Sequence, residues 1–134
     1  MLPKTEKDIE IIERAKNLQV FCWGEVYERM ISGMLYDISS GLYPKRTKLQ
    51  LTLYRYNPLA PELIEGRSRA RHLMAKFNAP LSSEAPDSEV VTHRENLLQR
   101  LFGHVGKGIY IEPPLYVNYG CNISVGDEFY SNFQ

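Results

Sequence analysis

Apolar residues recur at two spacings along this chain, and the change of spacing divides it. In the first hundred residues they fall three and four apart, the period of an amphipathic helix. Ile9, Ile11, Ile12 and Ala15 predict one helix over 5–18, and Val26, Met30, Ile31 and Met34 a second over 24–35, with Gly33 near its end. Leu63, Ile64, Leu73, Met74 and Phe77 predict a third over 61–77. Pro61 stands near its first turn, where a missing amide hydrogen costs nothing, and Asn78-Ala79-Pro80 stops it. The connector 79–86 carries two prolines and two serines. Asp87 is placed to cap a fourth helix over 88–102, striped by Val90, Val91, Leu97, Leu98, Leu101 and Phe102.

From residue 109 onward the step becomes six. Ile111, Val117, Ile123 and Phe129 form one row, and Ile109, Leu115 and Cys121 shadow it two residues earlier. Neither a helix, with its period of about 3.6, nor a strand alternation of two produces that step. A parallel β-helix does: each short face takes about six residues with one anchor inward, and Gly120 and Gly126-Asp127 make the corners. Gly103, Gly106 and Gly108 release the chain from the last helix into this ladder. The stretch 37–55 fits neither pattern. Leu49, Leu51 and Leu53 alternate with Gln50, Thr52 and Tyr54 as a short strand without an evident partner.

A length of 134 residues favours one compact domain with at most a small appendage. The composition, 43% hydrophobic and 24% charged, is that of a folded protein, not a disordered one. Sixteen basic residues balance sixteen acidic ones, which excludes nucleic-acid binding driven by bulk charge. The basic run Arg67-Ser68-Arg69-Ala70-Arg71-His72 is read as a solvated helix face. Cys22 and Cys121 fit neither a disulfide framework nor a metal spacing, so reduced thiols and no metal are expected. No run approaches the roughly eighteen apolar residues of a membrane span, and the N-terminus has no apolar signal core. The expectation is a cytoplasmic protein with neither nucleic acid nor membrane as partner.

Three blocks then stand out together. They are Glu28-Arg29-Met30-Ile31-Ser32-Gly33-Met34-Leu35-Tyr36; Pro61 through Arg71 followed by Phe77-Asn78; and Ile111-Glu112-Pro113-Pro114-Leu115-Tyr116-Val117-Asn118-Tyr119-Gly120 with Asn122-Ile123 and Phe129-Tyr130-Ser131-Asn132-Phe133. In this order the blocks resemble the maltose and galactoside O-acetyltransferases, over residues 13–36 and 56–134. The resemblance implies an α+β fold, with an N-terminal α-helical cap over 1–108 followed over 109–134 by the start of a left-handed parallel β-helix, truncated.

In that family a histidine takes the proton from a sugar hydroxyl as it attacks the thioester of acetyl-CoA, and the enzymes are homotrimers. Proximity of the two substrates and the positioned base supply the rate. Carried over motif by motif, the resemblance implies acceptor-sugar contacts from Arg67, Tyr130 and Asn132, and from Asn118 where the family often has serine or aspartate. A guanidinium fork suits vicinal hydroxyls, and an amide both donates and accepts. The acceptor residue after the Leu-Tyr pair is Asp37 or, in a second copy of the pattern, Asn57. Splicing Tyr36 to Asn57 gives a smoother match than either copy, so residues 37–56 are read as an insertion.

The family's catalytic histidine lies in a Thr-x-His-Pro segment that this chain does not contain. His72, His93 and His104 are read as surface histidines, Cys121 as a packing residue, and Glu112-Pro113-Pro114 as a structural corner. The function expected is that of a truncated sugar O-acetyltransferase, acting in full length on maltose, glucose or a galactoside, with acetyl-CoA as the family's co-substrate and none bound by this chain. The alternatives are a non-catalytic sugar-binding or oligomerisation module, or an incomplete gene product.

Overall fold

The computed structural model describes residues 4–18, 24–36, 55–80 and 86–132. Its elements run α1 (Ile9–Lys16), α2 (Glu25–Ile31), β1 (Leu35–Tyr36), β2 (Arg55–Tyr56), α3 (Pro61–Asn78), α4 (Asp87–Leu101), β3 (His104–Val105), β4 (Tyr110–Ile111), β5 (Ser124–Val125) and β6 (Tyr130–Ser131). The fold is mixed α and β. The chain forms two compact units, one from Met1–Asn17 and Cys22–Gly66, the other from Leu18–Phe21 and Arg67–Gln134. Among the described residues, no helix is long and apolar enough to cross a membrane.

In the first unit, Asp8 closes the N-terminus of α1. Its Oδ1 accepts from the Ile11 amide at 3.2 Å, satisfying one of the donors that a helix start leaves open. Lys4 pairs with the same carboxylate, and together these donors hold it below the usual carboxylate range. Ile12 and Ala15 turn inward, whereas Ile9 is 65% exposed, so the predicted stripe is narrower than its sequence. Ser32, at the end of α2, joins the two helices: its hydroxyl accepts from the Asp8 amide at 2.8 Å and donates to the Glu28 carbonyl at 2.7 Å. Gly33 follows with φ of 76°, and the amides of Gly33 and Met34 return to the carbonyls of Met30 and Arg29. That left-handed close is why glycine stands there. Lys7 bridges Glu28 at 2.7 Å and Glu25. Tyr27, outside the predicted stripe, is fully buried.

β1 and β2 pair in parallel, Leu35 opposite Arg55 and Tyr36 opposite Tyr56. Two parallel strands need a crossover between them. The proposed insertion begins and ends at this pair, while residues 37–54, Asp37 and the Leu49–Leu53 alternation among them, lie outside the described residues. Asn57 then builds the turn into α3. Its side-chain oxygen accepts from the Leu59 amide at 2.9 Å and its carbonyl from the Ala60 amide at 3.1 Å.

The second unit has its core between the later turns of α3, α4 and the short strands. Ala70, Leu73, Met74, Phe77, Leu97, Leu98, Leu101, Phe102, Ile109, Ile111 and Val125 are buried together. Asp87 does not cap α4: it is the first helical residue, and Pro86 holds the cap position without a side-chain bond. Asp87 and Glu89 instead place negative charge in the first turn, where the helix dipole favours it.

Beyond α4, His104 pairs in parallel with Ser124, and Val105 with Val125. Tyr110 pairs likewise with Tyr130, and Ile111 with Ser131. Six residues separate one pairing from the next, as the ladder predicts. Each pairing, however, joins residues twenty apart, two more than three steps of six. The surplus lies between Ile111 and Ser124, so Ile111 meets Ser131 and Phe129 stays 39% exposed. Val117 and Ile123 pack half-buried against the core, and Ile109 and Cys121 of the shadow row are buried. Gly120, at φ of 74°, passes so close to α4 that a Cβ there would stand 2.6 Å from the Leu101 carbonyl oxygen.

Two outcomes follow from this packing. Gly33→Ala meets open space and incurs only left-handed backbone strain, about 1–2 kcal/mol. Gly120→Ala adds a backbone overlap and is expected to cost about 1–3 kcal/mol more in urea unfolding; equal losses would refute the close approach. Because paired strands stand about 4.8 Å apart, Tyr36 lies roughly one strand-width from the start of the Asn57 turn. A chain joined Tyr36 to Asn57 without 37–56 is expected to melt cooperatively within about 5 °C of the full chain. Loss of a cooperative transition would show the segment to be integral.

Candidate functional site

One stripe of α3 organises the candidate site. Arg67, Arg71, Met74 and Asn78 recur at i, i+4, i+7 and i+11, so successive turns present them on one side. Asn78, in the last turn, grips the backbone of Leu115 from both sides: its Nδ2 donates to the carbonyl at 3.0 Å and its Oδ1 accepts from the amide at 2.8 Å. One turn back, the Met74 sulfur accepts from the Val117 amide at 2.9 Å. At the start of the stripe, Arg67 Nη1 donates to the Tyr119 hydroxyl at 2.7 Å, with the guanidinium 5.7 Å from that ring's centre. Segment 115–119 is thereby laid along the helix.

Between them is an open groove of about 720 Å³. Arg71, Met74, Ala75 and Asn78 form its helical wall, and Tyr116, Val117 and Asn118 the facing one. Tyr116 is 77% exposed, a flat apolar ring with a polar tip at the rim. Arg71 and Asn118 bring donors and one amide acceptor to the same space. Such a surface, part apolar and part hydrogen-bonding, matches a polyhydroxylated ligand better than a purely apolar or ionic one.

Of the residues proposed from sequence, Arg67 bonds Tyr119, and Asn118, the residue before it, lines the groove. Tyr130 and Asn132 lie at and just after β6 with other partners. The Tyr130 ring stacks on that of Tyr110, 6.0 Å between centres and 8° from parallel, and its hydroxyl donates to Glu112 Oε1 at 2.7 Å. That bond to a carboxylate favours the protonated phenol and raises its pKa above the ordinary 10. Asn132 is exposed, and its carbonyl accepts from the Ser131 hydroxyl at 3.2 Å. Asp37 is outside the described residues, and the side-chain oxygen of Asn57, its alternative, is engaged in its own turn. Arg71, Asn78 and Tyr119 were missed, although the helical spacing from Arg67 marks the first two. His72, His93 and His104 are exposed on α3, α4 and β3. Among the described residues no cluster of histidine, cysteine or carboxylate side chains is arranged to hold a metal.

Residues 54–106 match the family described as the maltose acetyltransferase hexapeptide capping motif. Through this segment the chain is similar to the maltose and galactoside O-acetyltransferases. It is 38% identical to the galactoside O-acetyltransferase of Escherichia coli over 78 residues, 58% of this chain and 36% of that protein. It is 35% identical to nodulation protein L of Rhizobium meliloti over 78 residues, 58% of this chain and 39% of that one. It is 29% identical to the sophorolipid acetyltransferase of Starmerella bombicola over 138 aligned positions, 99% of this chain and 45% of that protein. The matches thus span less than half the length of each of these curated relatives.

Glu112→Gln removes the carboxylate that stabilises the Tyr130 phenol. The Tyr130 pKa is expected to fall back toward 10, followed by the ring-carbon NMR shift against pH. An unchanged midpoint would exclude the Glu112 bond as its cause.

Proposed function

We propose that this chain forms the acceptor-side cap and first coil of an acetyl-CoA-dependent sugar O-acetyltransferase, a homotrimeric cytoplasmic enzyme in its complete form. The observation that carries the reading is the open groove lined by Arg71, Asn78, Tyr116 and Asn118, beside the Arg67–Tyr119 bond, whose helical wall lies in the segment that matches the capping motif. The acceptor is a sugar such as maltose, glucose or a galactoside. Arg67 and Asn118 bind its hydroxyls, Tyr116 lies against a ring face, and Tyr130, Asn132 and Asp37 add further contacts. The two parallel pairings, six residues apart, support assignment of 104–131 to the opening of a left-handed parallel β-helix. Acetyl-CoA brings the activated acetyl group, and the cap holds the accepting hydroxyl in place so that transfer is effectively intramolecular.

NMR titration of the 15N-labelled chain with maltose and with methyl β-galactoside tests this reading, with glycerol as control. The expected result is saturable shifts at the Asn118 and Tyr119 amides and at the Asn118 side chain for at least one sugar. Arg67→Ala is expected to weaken that binding about tenfold or more, the loss of one hydrogen bond to a charged group. Shifts no larger than those given by glycerol would overturn it.

A further inference from the structure

A different side of α3 carries positive charge that pairs with no acidic side chain among the described residues. Arg69, His72, Leu73 and Lys76 recur at i, i+3, i+4 and i+7, and with Arg100 in the last turn of α4 they line a cavity of about 260 Å³. No acidic residue is among its lining. Arg69 Nη1 donates to the Arg100 carbonyl at 2.7 Å, while its Nη2 is buried without a hydrogen-bond partner. Lys4, Lys7, Lys16 and Arg29 of the first unit form ion pairs; among the described residues Arg69, Lys76 and Arg100 form none.

Helix electrostatics accounts for only part of this cluster. The C-terminus of α4 carries about half a negative charge, and the Arg69 bond to a last-turn carbonyl answers it. Two further full positive charges remain around the cavity, and like charges gathered there repel unless an anion sits among them. A buried guanidinium nitrogen with no partner is the donor such an anion would take, since arginine forks match phosphate oxygens. The volume falls below the roughly 300–1,000 Å³ of pockets that enclose whole small molecules. It suits a phosphate or diphosphate group whose carrier, if any, extends outside.

We infer that the Arg69–Lys76–Arg100 cavity is a binding site for a phosphoryl group, separate from the groove lined by Arg71 and Asn118. Arg69 Nη2 donates to one oxygen, and Lys76 and Arg100 bind the others as mobile cations from the rim.

The test is NMR titration of the whole chain with inorganic phosphate, pyrophosphate and glucose 1-phosphate, sodium chloride holding ionic strength constant. Saturable shifts at the Arg69, Leu73, Lys76 and Arg100 amides are expected for at least one of the three. The double variant Lys76→Gln/Arg100→Gln should weaken binding tenfold or more; both side chains are exposed and leave the Arg69–Arg100 backbone bond intact. Lys76→Gln alone serves if the double variant melts early. Tighter binding of glucose 1-phosphate than of phosphate would assign the site to an organic phosphate, and the reverse order to the free ion; both support it. Flat titrations with all three anions, or equal affinity in the variants, overturn it.

Discussion

The second unit depends on the side chain of Asn78. A single amide at the end of α3 holds both hydrogen-bonding groups of Leu115, replacing the strand partner that an isolated extended segment lacks. Each bond contributes only about 0.5–1.5 kcal/mol net, but leaving either Leu115 group buried and unpaired would cost about 1–3 kcal/mol. The amide therefore decides where segment 115–119 runs. Met74 and Arg67 extend the same contact by one and three turns, and Tyr119 and Asn118 come to the helix as a consequence. The groove exists because this segment is held beside α3 at a distance that side chains, not backbone, bridge.

The two units are stabilised by different means. In the first, short helices are tied by charge and by the shared hydroxyl of Ser32, with Lys7 between two glutamates. Lys7 is raised above the usual lysine value by Glu25 and Glu28, and Glu25 is lowered by Lys7 and Arg29. The sign follows: below the folded pKa of Glu25 the pairing is lost, while Lys7 keeps its charge well above neutral pH. These groups are largely exposed, so their net worth is small. In the second unit an apolar core does the holding, and Arg69, Lys76 and Arg100 form no ion pair among the described residues. The local gathering of Arg69, Lys76 and Arg100, not a net charge, is what makes an anion cavity physically reasonable.

The sequence by itself determined what depends on near neighbours. Helical spacing located α3 and α4 to within a residue, because their buried stripes repeat over three or more turns. It overextended α1, whose Ile9 and Ile11 stay exposed, and it mistook Asp87 for a cap because Pro86 already fixes an extended backbone there. The step of six was correct for the spacing between strand pairings. It could not reveal the two surplus residues between Ile111 and Ser124, since extra residues in a turn leave the local step on either side unchanged. The capping-motif resemblance was carried by contiguous blocks and was legible for the same reason. Only the tertiary structure decided which side chains meet. Arg67 and Tyr119 are 52 positions apart, Asn78 and Leu115 37, and Arg69 and Arg100 31. No local period encodes such pairs; they form because burying the stripes of α3 and α4 in one core brings the polar edges of those stripes to the same places.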